Sequence, residues 1–180
     1  MTLASDDLAE RAGSIELLVL DVDGVLTDGV IAIDDAGVET KHFHVRDGGG
    51  IALWRRAGKR VAILSGRSAP CVDHRAAELG IHPVLQGVAE KGAAFRGLLE
   101  ELGVEPGQVC AMGDDLADLP MLALAGLAAC PADAAAEVLD AAHYVARAPG
   151  GKGAVRELVE VILGWQGAWD DLVSSYRPSG

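Results

Sequence analysis

Ile15-Glu16-Leu17-Leu18-Val19-Leu20 runs directly into Asp21-Val22-Asp23-Gly24-Val25-Leu26-Thr27-Asp28. The first six residues are apolar except Glu16, the pattern of a strand buried on both faces of a parallel sheet. Two carboxylates follow, two positions apart, and side chains at i and i+2 of an extended chain point the same way. Gly24 allows the sharp turn that presents backbone N–H groups to an anion. A buried strand ending in Asp-x-Asp-Gly is read as part of an α/β sheet whose chemistry gathers at the carboxyl ends of its strands.

The rest of the chain supplies that sheet. Strand and helix patterns alternate: strand over 60–64, helix over 69–79, short strand over 83–85, helix over 91–102, strand over 109–112, helix over 116–125. Short closing strands follow at 127–129 and 144–145, separated by a helix near 133–139, and 154–163 is an amphipathic last helix. Between the first strand and this series, Val30 to Ile33 and Thr40 to Val45 flank the turn Asp34-Asp35-Ala36-Gly37 and predict a hairpin over 30–45, then a helix over 47–57. The expected fold is α/β, a single doubly wound, Rossmann-like parallel sheet with a β-hairpin flap after the first strand and no cap domain. It occupies 15–165, after a polar N-terminal extension over 1–14 and before a C-terminal tail over 166–180.

Bulk properties narrow the partners. A chain of 180 residues suits one domain, and a 4% aromatic content offers little surface for stacking bases. The formal charge of −12 argues against nucleic acid and against an anionic membrane surface. It also repels a phosphate, so a phosphate site here needs a cation and a few placed basic residues. Cys71, Cys110 and Cys130 are odd in number and lack metal-ligand spacing, which predicts free thiols. With no charged start leading into an apolar stretch and no membrane span, the expected compartment is the cytoplasm.

The polar residues fall at the strand ends. The first strand ends in Asp21 and Asp23, the second in Ser65-Gly66-Arg67, and the fourth in Gly113-Asp114-Asp115; Lys91 opens the helix after the third. Carboxylates crowded on one rim repel without a cation between them, and oxygen-only ligands suit Mg²⁺. A carboxylate can attack phosphorus, which assigns Asp21 as nucleophile. Asp23 can protonate the leaving oxygen and then activate water. Ser65 and Lys91 can donate to the equatorial oxygens of the phosphoryl group, and Asp114 can hold the metal.

Asp21 to Asp28, Ser65 after an apolar strand, Lys91, and Gly113-Asp114-Asp115-x-x-Asp118 resemble the four motifs of haloacid dehalogenase-like phosphatases. Phe43-His44-Val45-Arg46-Asp47-Gly48, Ser65-Gly66-Arg67 and Gly150-Gly151-Lys152-Gly153-Ala154-Val155-Arg156-Glu157 further resemble the 3-deoxy-D-manno-octulosonate 8-phosphate phosphatases. The resemblance spans roughly 15–165 in order and spacing. It implies Mg²⁺ held by Asp21, the Asp23 carbonyl and Asp114, catalysis by Asp21, Asp23, Ser65 and Lys91, and a sugar-acid phosphate bound with help from Gly66, Arg67, Arg46 and Lys152. Asp115, Asp118 and His44 are further candidates; Arg46 can instead pair with Asp47 at the hairpin–helix junction. The pathway implied is lipopolysaccharide precursor synthesis. Such phosphatases commonly carry Asn, Thr and Arg where His44, Ser65 and Lys152 stand here. Ser65 keeps the hydroxyl, while Lys152 lacks the planar fork that grips a carboxylate.

Only 43 residues separate Asp21 from Ser65, and 25 separate Ser65 from Lys91, so no cap fits. The resemblance implies a homotetramer in which each hairpin and a C-terminal segment close a neighbour's site. The stretch Pro149 to Gly153 and the residues Trp165 and Trp169 are the candidate closing pieces. Three rival functions are weaker. A phosphorelay receiver has its acidic pair and acceptor in another order, and Asp23 would shorten the life of a phosphoaspartate. A phosphomutase needs a cap, and a silent scaffold does not need every catalytic residue type. A nine-carbon sugar-acid 9-phosphate is the nearest alternative substrate.

Overall fold

A computed structural model describes residues 5–177. Six parallel strands form one sheet: β1 (Leu17–Leu20), β4 (Arg60–Leu64), β5 (Val84–Leu85), β6 (Val109–Met112), β7 (Leu127–Cys130) and β8 (Tyr144–Val145). Their order across the sheet is β5-β4-β1-β6-β7-β8. The chain winds outward from β1 in one direction, returns, and winds outward in the other, so β1 and β6 are neighbours at the switch point. Open α/β sheets bind their ligands at that crevice. Leu17 pairs with Arg60 on one side and Val109 on the other, which brings the ends of β1, β4 and β6 level.

Burial on both faces explains why these strands are so apolar. Leu18 and Leu20 point into one core layer and Leu17 and Val19 into the other. The first layer packs under α1 (Ser5–Gly13), α2 (Val45–Arg56), α3 (Pro70–Leu79) and α7 (Ala154–Trp165), with Trp54, Ile51, Leu158 and Ile162 buried. The second packs under α4 (Lys91–Leu102), α5 (Leu119–Leu122) and α6 (Ala136–Ala141), led by Phe95, Leu98 and Met121. No described helix is long and apolar enough to cross a membrane.

The flap is smaller than the sequence suggests. Only β2 (Ala32–Ile33) and β3 (Glu39–Thr40) pair, and Val45 already belongs to α2. The turn is where it was expected: the Asp34 carboxylate accepts from Ala36 and Val38 N–H, which closes 34–38. The segment 116–125 is a short 3₁₀ turn over Leu116–Asp118 and then α5, which ends after one turn. No cap domain interrupts the sheet between Asp21 and Lys91; α2, α3 and β5 take up that chain.

Both ends of the chain differ from expectation. The stretch 1–14, expected as an extension outside the domain, contributes α1 from Ser5, and its Leu8 and Ala12 are buried in the first core layer. Their spacing of four puts them on one helical face, a signal masked by the polar residues around them. Residues 1–4 lie outside the described residues. In the tail, α8 (Trp169–Ser174) packs back on the same layer through Trp169 and Leu172, and Trp165 joins it. Gln166 bridges both ends, its Nε2 donating to the Ala12 and Ile15 carbonyls at 2.7 and 3.0 Å. Trp165 and Trp169 therefore pack, half-buried, against the core of their own chain.

Asp47 also has a role that the sequence did not reveal. It is 1% exposed and accepts the N–H groups of Gly153 at 3.1 Å and Arg156 at 2.9 Å. The carboxylate thus caps the N-terminus of α7 from α2, in place of the expected pair with Arg46. Burial pushes the Asp47 carboxyl up, and the two N–H groups pull it back in part. Replacing it with alanine leaves two buried donors without partners. We expect Asp47→Ala to lower stability by roughly 1–3 kcal/mol in a urea titration; a change below about 0.5 kcal/mol would show that the cap is dispensable.

Candidate active site

The β1 ladder holds Asp21 in place, its N–H donating to the Met112 carbonyl at 3.0 Å. The chain then coils tightly: the Val22 carbonyl gathers the N–H groups of Leu26 and Thr27 at 2.9 and 3.0 Å. That turn leaves Asp21 and Asp23 facing one cavity of about 330 Å³, a size suited to a small ligand. Ser65, Gly66 and Arg67 reach it from the end of β4, Lys91 from the first residue of α4, and Asp114, Asp115 and Asp118 from the loop after β6. Ile31 of the flap completes the wall.

Two glycines make the junction possible. Gly24 has φ +85°, and a side chain there would occupy the space of the Asp114 carboxylate. Gly150 packs against the Gly24 carbonyl so closely that any side chain would collide with it. The Gly150-Gly151 segment therefore buttresses the Asp21 turn from behind.

Lys91 joins two of the cavity's carboxylates. It is 4% exposed, and its ammonium lies 2.9 Å from Asp21 Oδ1 and 2.5 Å from Asp118 Oδ1. The other oxygen of Asp118 accepts the N–H groups of Asp114 and Asp115 at 2.9 and 3.2 Å. Asp118 is 1% exposed. Both of its oxygens are engaged by protein donors, so it holds Lys91 and the Asp114 loop in position. Asp115 is turned to its own backbone, accepting from Leu116 N–H.

The carboxylates themselves fit a divalent cation. One oxygen each from Asp21, Asp114 and Asp118 lie within 4.8 Å of one another. Asp114 Oδ1 is buried with no hydrogen-bond partner among the described residues, the signature of an oxygen meant for something else. Burial, then the Asp21, Asp118 and Asp115 charges, push the Asp114 carboxyl up to about 7. Burial and Asp118 push Asp21 up to about 6, with Lys91 partly offsetting them. Hard oxygen donors of this kind suit Mg²⁺.

A second charged group lies where the flap meets this cavity, and the sequence reading missed it. Lys41 follows β3 with its side chain only 1% exposed; its Nζ bonds to Asp23 Oδ1 and lies 2.6 Å from Glu39 Oε1. Arg67 Nη2 is 2.7 Å from Glu39 Oε2, and its Nε is 3.6 Å from Asp23 Oδ2. Burial draws the Lys41 ammonium down, but its bonds to Asp23 and Glu39 outweigh that and hold it charged. The available signal was Glu39-x-Lys41, an i, i+2 pair placing two charges on one side of a strand beside the site.

Three expected substrate residues do not line this cavity. Arg46 and Lys152 line another, of about 400 Å³, with Arg147, Arg156 and Glu157. Lys152 lies 3.3 Å from Asp28, and His44 sits 3.7 Å from the Asp47 carboxylate. Among the described residues, the single chain brings together Asp21, Asp23, Ser65, Gly66, Arg67, Lys91, Asp114, Asp115 and Asp118, and leaves Arg46, Lys152 and His44 apart.

This geometry has close relatives. Residues 44–126 match the haloacid dehalogenase-like hydrolase family. The chain is 46% identical over 159 residues to the 3-deoxy-D-manno-octulosonate 8-phosphate phosphatase of Yersinia pestis, covering 88% of this chain and 85% of that one. The corresponding phosphatase of Escherichia coli K12 is 45% identical over 167 residues, 93% of this chain and 89% of that one. A crystal structure of the Moraxella catarrhalis phosphatase, in complex with magnesium, phosphate and a KDO molecule, superposes with a TM-score of 0.94 at 37% identity, over 97% of this chain and all of that one. A strand-end nucleophile candidate, a lysine and a metal-ready acidic rim thus occur on a chain similar to these enzymes along nearly its whole length. The chain belongs to the haloacid dehalogenase-like hydrolases, in the family of the 3-deoxy-D-manno-octulosonate 8-phosphate phosphatases.

Proposed function

We propose that the chain hydrolyses 3-deoxy-D-manno-octulosonate 8-phosphate to the free sugar acid and inorganic phosphate, supplying a lipopolysaccharide precursor. The observation that carries this reading is the convergence of Asp21, Asp23, Ser65, Lys91 and Asp114 on one cavity in a chain 46% identical to such a phosphatase. Free Cys71, Cys110 and Cys130 are in keeping with a reducing, cytoplasmic setting.

The chemistry follows from the side chains. An Asp21 oxygen attacks phosphorus, and the bond from phosphorus to the ester oxygen breaks. Asp23 delivers its proton to the departing alkoxide, leaving an acyl phosphate on Asp21. Asp23, now a carboxylate, takes a proton from water as that water attacks the same phosphorus. Phosphate departs and Asp21 is restored. Ser65 and Lys91 steady the equatorial oxygens, on which transition-state charge accumulates. Magnesium, held by Asp21, Asp114 and the Asp23 carbonyl, supplies the positive charge that lets a dianion approach these carboxylates.

Arg46 and Lys152 enter this scheme through a neighbouring chain. We read the assembly as a homotetramer with shared sites. The support is the flap, where Val30, Ile33 and Val38 are 65%, 60% and 57% exposed on and beside two paired strands of two residues each. Such a hairpin is marginal by itself, and its apolar side chains gain by burial against another copy. Light scattering should give about 74 kDa against 18.6 kDa for one chain, and Ile33→Glu should lower both mass and activity. A fully active monomer would defeat the shared site.

Two further measurements test the reading. A sugar-acid phosphate should exceed neutral hexose phosphates at least tenfold in kcat/KM, an increment of about 1.4 kcal/mol, and Asp21→Asn should abolish turnover of all of them. Equal efficiency on both classes would remove the substrate assignment and leave the phosphatase.

Metal dependence has a pH signature. The cation competes with protons for Asp114 and Asp21, whose carboxyls are pushed up to about 7 and about 6 in the chain without metal. Binding is therefore strongest above both values and weakens as pH falls through them. Chelation should silence the enzyme, Mg²⁺ should restore it, and the Mg²⁺ concentration for half-maximal activity should rise roughly twentyfold between pH 8 and pH 6. Full activity in excess chelator would sink the metal assignment.

A further inference from the structure

We propose that Lys41 is the positioning residue for the acid/base step, fixing the Asp23 side chain from the root of the flap. The inference rests on the phosphatase reading above and extends it to a residue outside the cavity. Asp23 lines the cavity, whereas Lys41 stands behind it. Each Asp23 oxygen faces a different cation, Oδ1 bonding to Lys41 and Oδ2 lying 3.6 Å from Arg67. Glu39 closes the ring, 2.6 Å from the first cation and 2.7 Å from the second. Two carboxylates and two cations thus alternate, and the ring spans the flap, the Asp21 turn and the loop after β4.

Packing alone does not account for this lysine. Its side chain is 1% exposed, and burying an ammonium is costly unless it is paired and hydrogen-bonded. A leucine or methionine would fill the space without that cost. The charge makes sense as an anchor for Asp23, which must place one oxygen at the leaving group and later at the attacking water. A shift of about 1 Å in such a group costs on the order of a hundredfold in rate. The division of labour between the two buried lysines is clear: Lys91 contacts the nucleophile, and Lys41 contacts the acid/base.

The test exploits the leaving group. An alkoxide needs the Asp23 proton to depart, whereas 4-nitrophenolate departs without one. The purified full chain, with magnesium, is assayed on 3-deoxy-D-manno-octulosonate 8-phosphate and on 4-nitrophenyl phosphate. Lys41→Met should lose about a hundredfold in kcat/KM on the sugar ester and less than about threefold on the aryl ester. It should also release a burst of about one nitrophenolate per site, because water attack on the acyl phosphate still needs Asp23. Lys41→Arg, which keeps the charge and a donor, should recover at least about tenfold on the sugar ester. Equal losses on both esters, or an unchanged rate on the sugar ester, would overturn the proposal. If Lys41→Met does not fold, the same two-ester comparison on Lys41→Gln decides. A parent enzyme inactive on both esters would instead refute the phosphatase reading, and this inference with it.

Discussion

The crowding of like charges at the carboxyl end of β1 is the constraint that organises this molecule. Asp21, Asp114 and Asp118 bring oxygens within 4.8 Å of one another, where each ionised pair repels by about 3.5 kcal/mol at an effective dielectric of 20. Lys91 answers part of that, bonded to two of the three. Three carboxylates against one ammonium leave two negative charges uncompensated, the charge of one divalent cation. The flap cluster is different in kind. There Asp23 and Glu39 meet Lys41 and Arg67 and balance without help. One cluster is left short by a dication and the other is complete, and the two begin two residues apart on one turn.

Backbone placement makes that separation possible. The sheet order puts the ends of β1, β4 and β6 side by side, so three loops far apart in sequence reach the same cavity. The Asp21 turn is then squeezed between Asp114 in front and Gly150 behind, with no room for a side chain at Gly24 or Gly150. Asp47 holds the same region from farther back by capping α7, directly after the Gly150 segment. A single buried carboxylate in α2 thus ties the helix that follows the flap to the loop that packs behind the Asp21 turn.

Much of this was legible in the sequence because it was local. Strands 60–64, 109–112 and 144–145 and the helix 91–102 coincide with their apolar runs and flanking turns. The gathering of Asp21, Asp23, Ser65, Lys91 and Asp114 at one cavity was legible too, since strand ends in an α/β sheet converge by topology. What escaped was settled at long range. Asp47 reads locally as a partner for Arg46, but its partners are N–H groups 106 and 109 residues away. The helix from Ser5 to Gly13 was hidden by a polar composition that only two buried residues interrupt. Lys41 escaped because its local signal, Glu39-x-Lys41, does not say that Asp23 stands opposite.

That last case explains the flap. Two strands of two residues supply few ladder hydrogen bonds, too few to hold a hairpin in one place. The ring of Asp23, Glu39, Lys41 and Arg67 holds its root instead, with three of its four members fixed by the Asp21 turn, the β4 loop and burial. Held there, the flap keeps Ile31 at the cavity wall while Val30, Ile33 and Val38 face outward. Charge fixes the inner end of the flap, and hydrophobicity is left free at the outer end. An element held at one end and apolar at the other can contact a second surface without disturbing Asp23 beneath it.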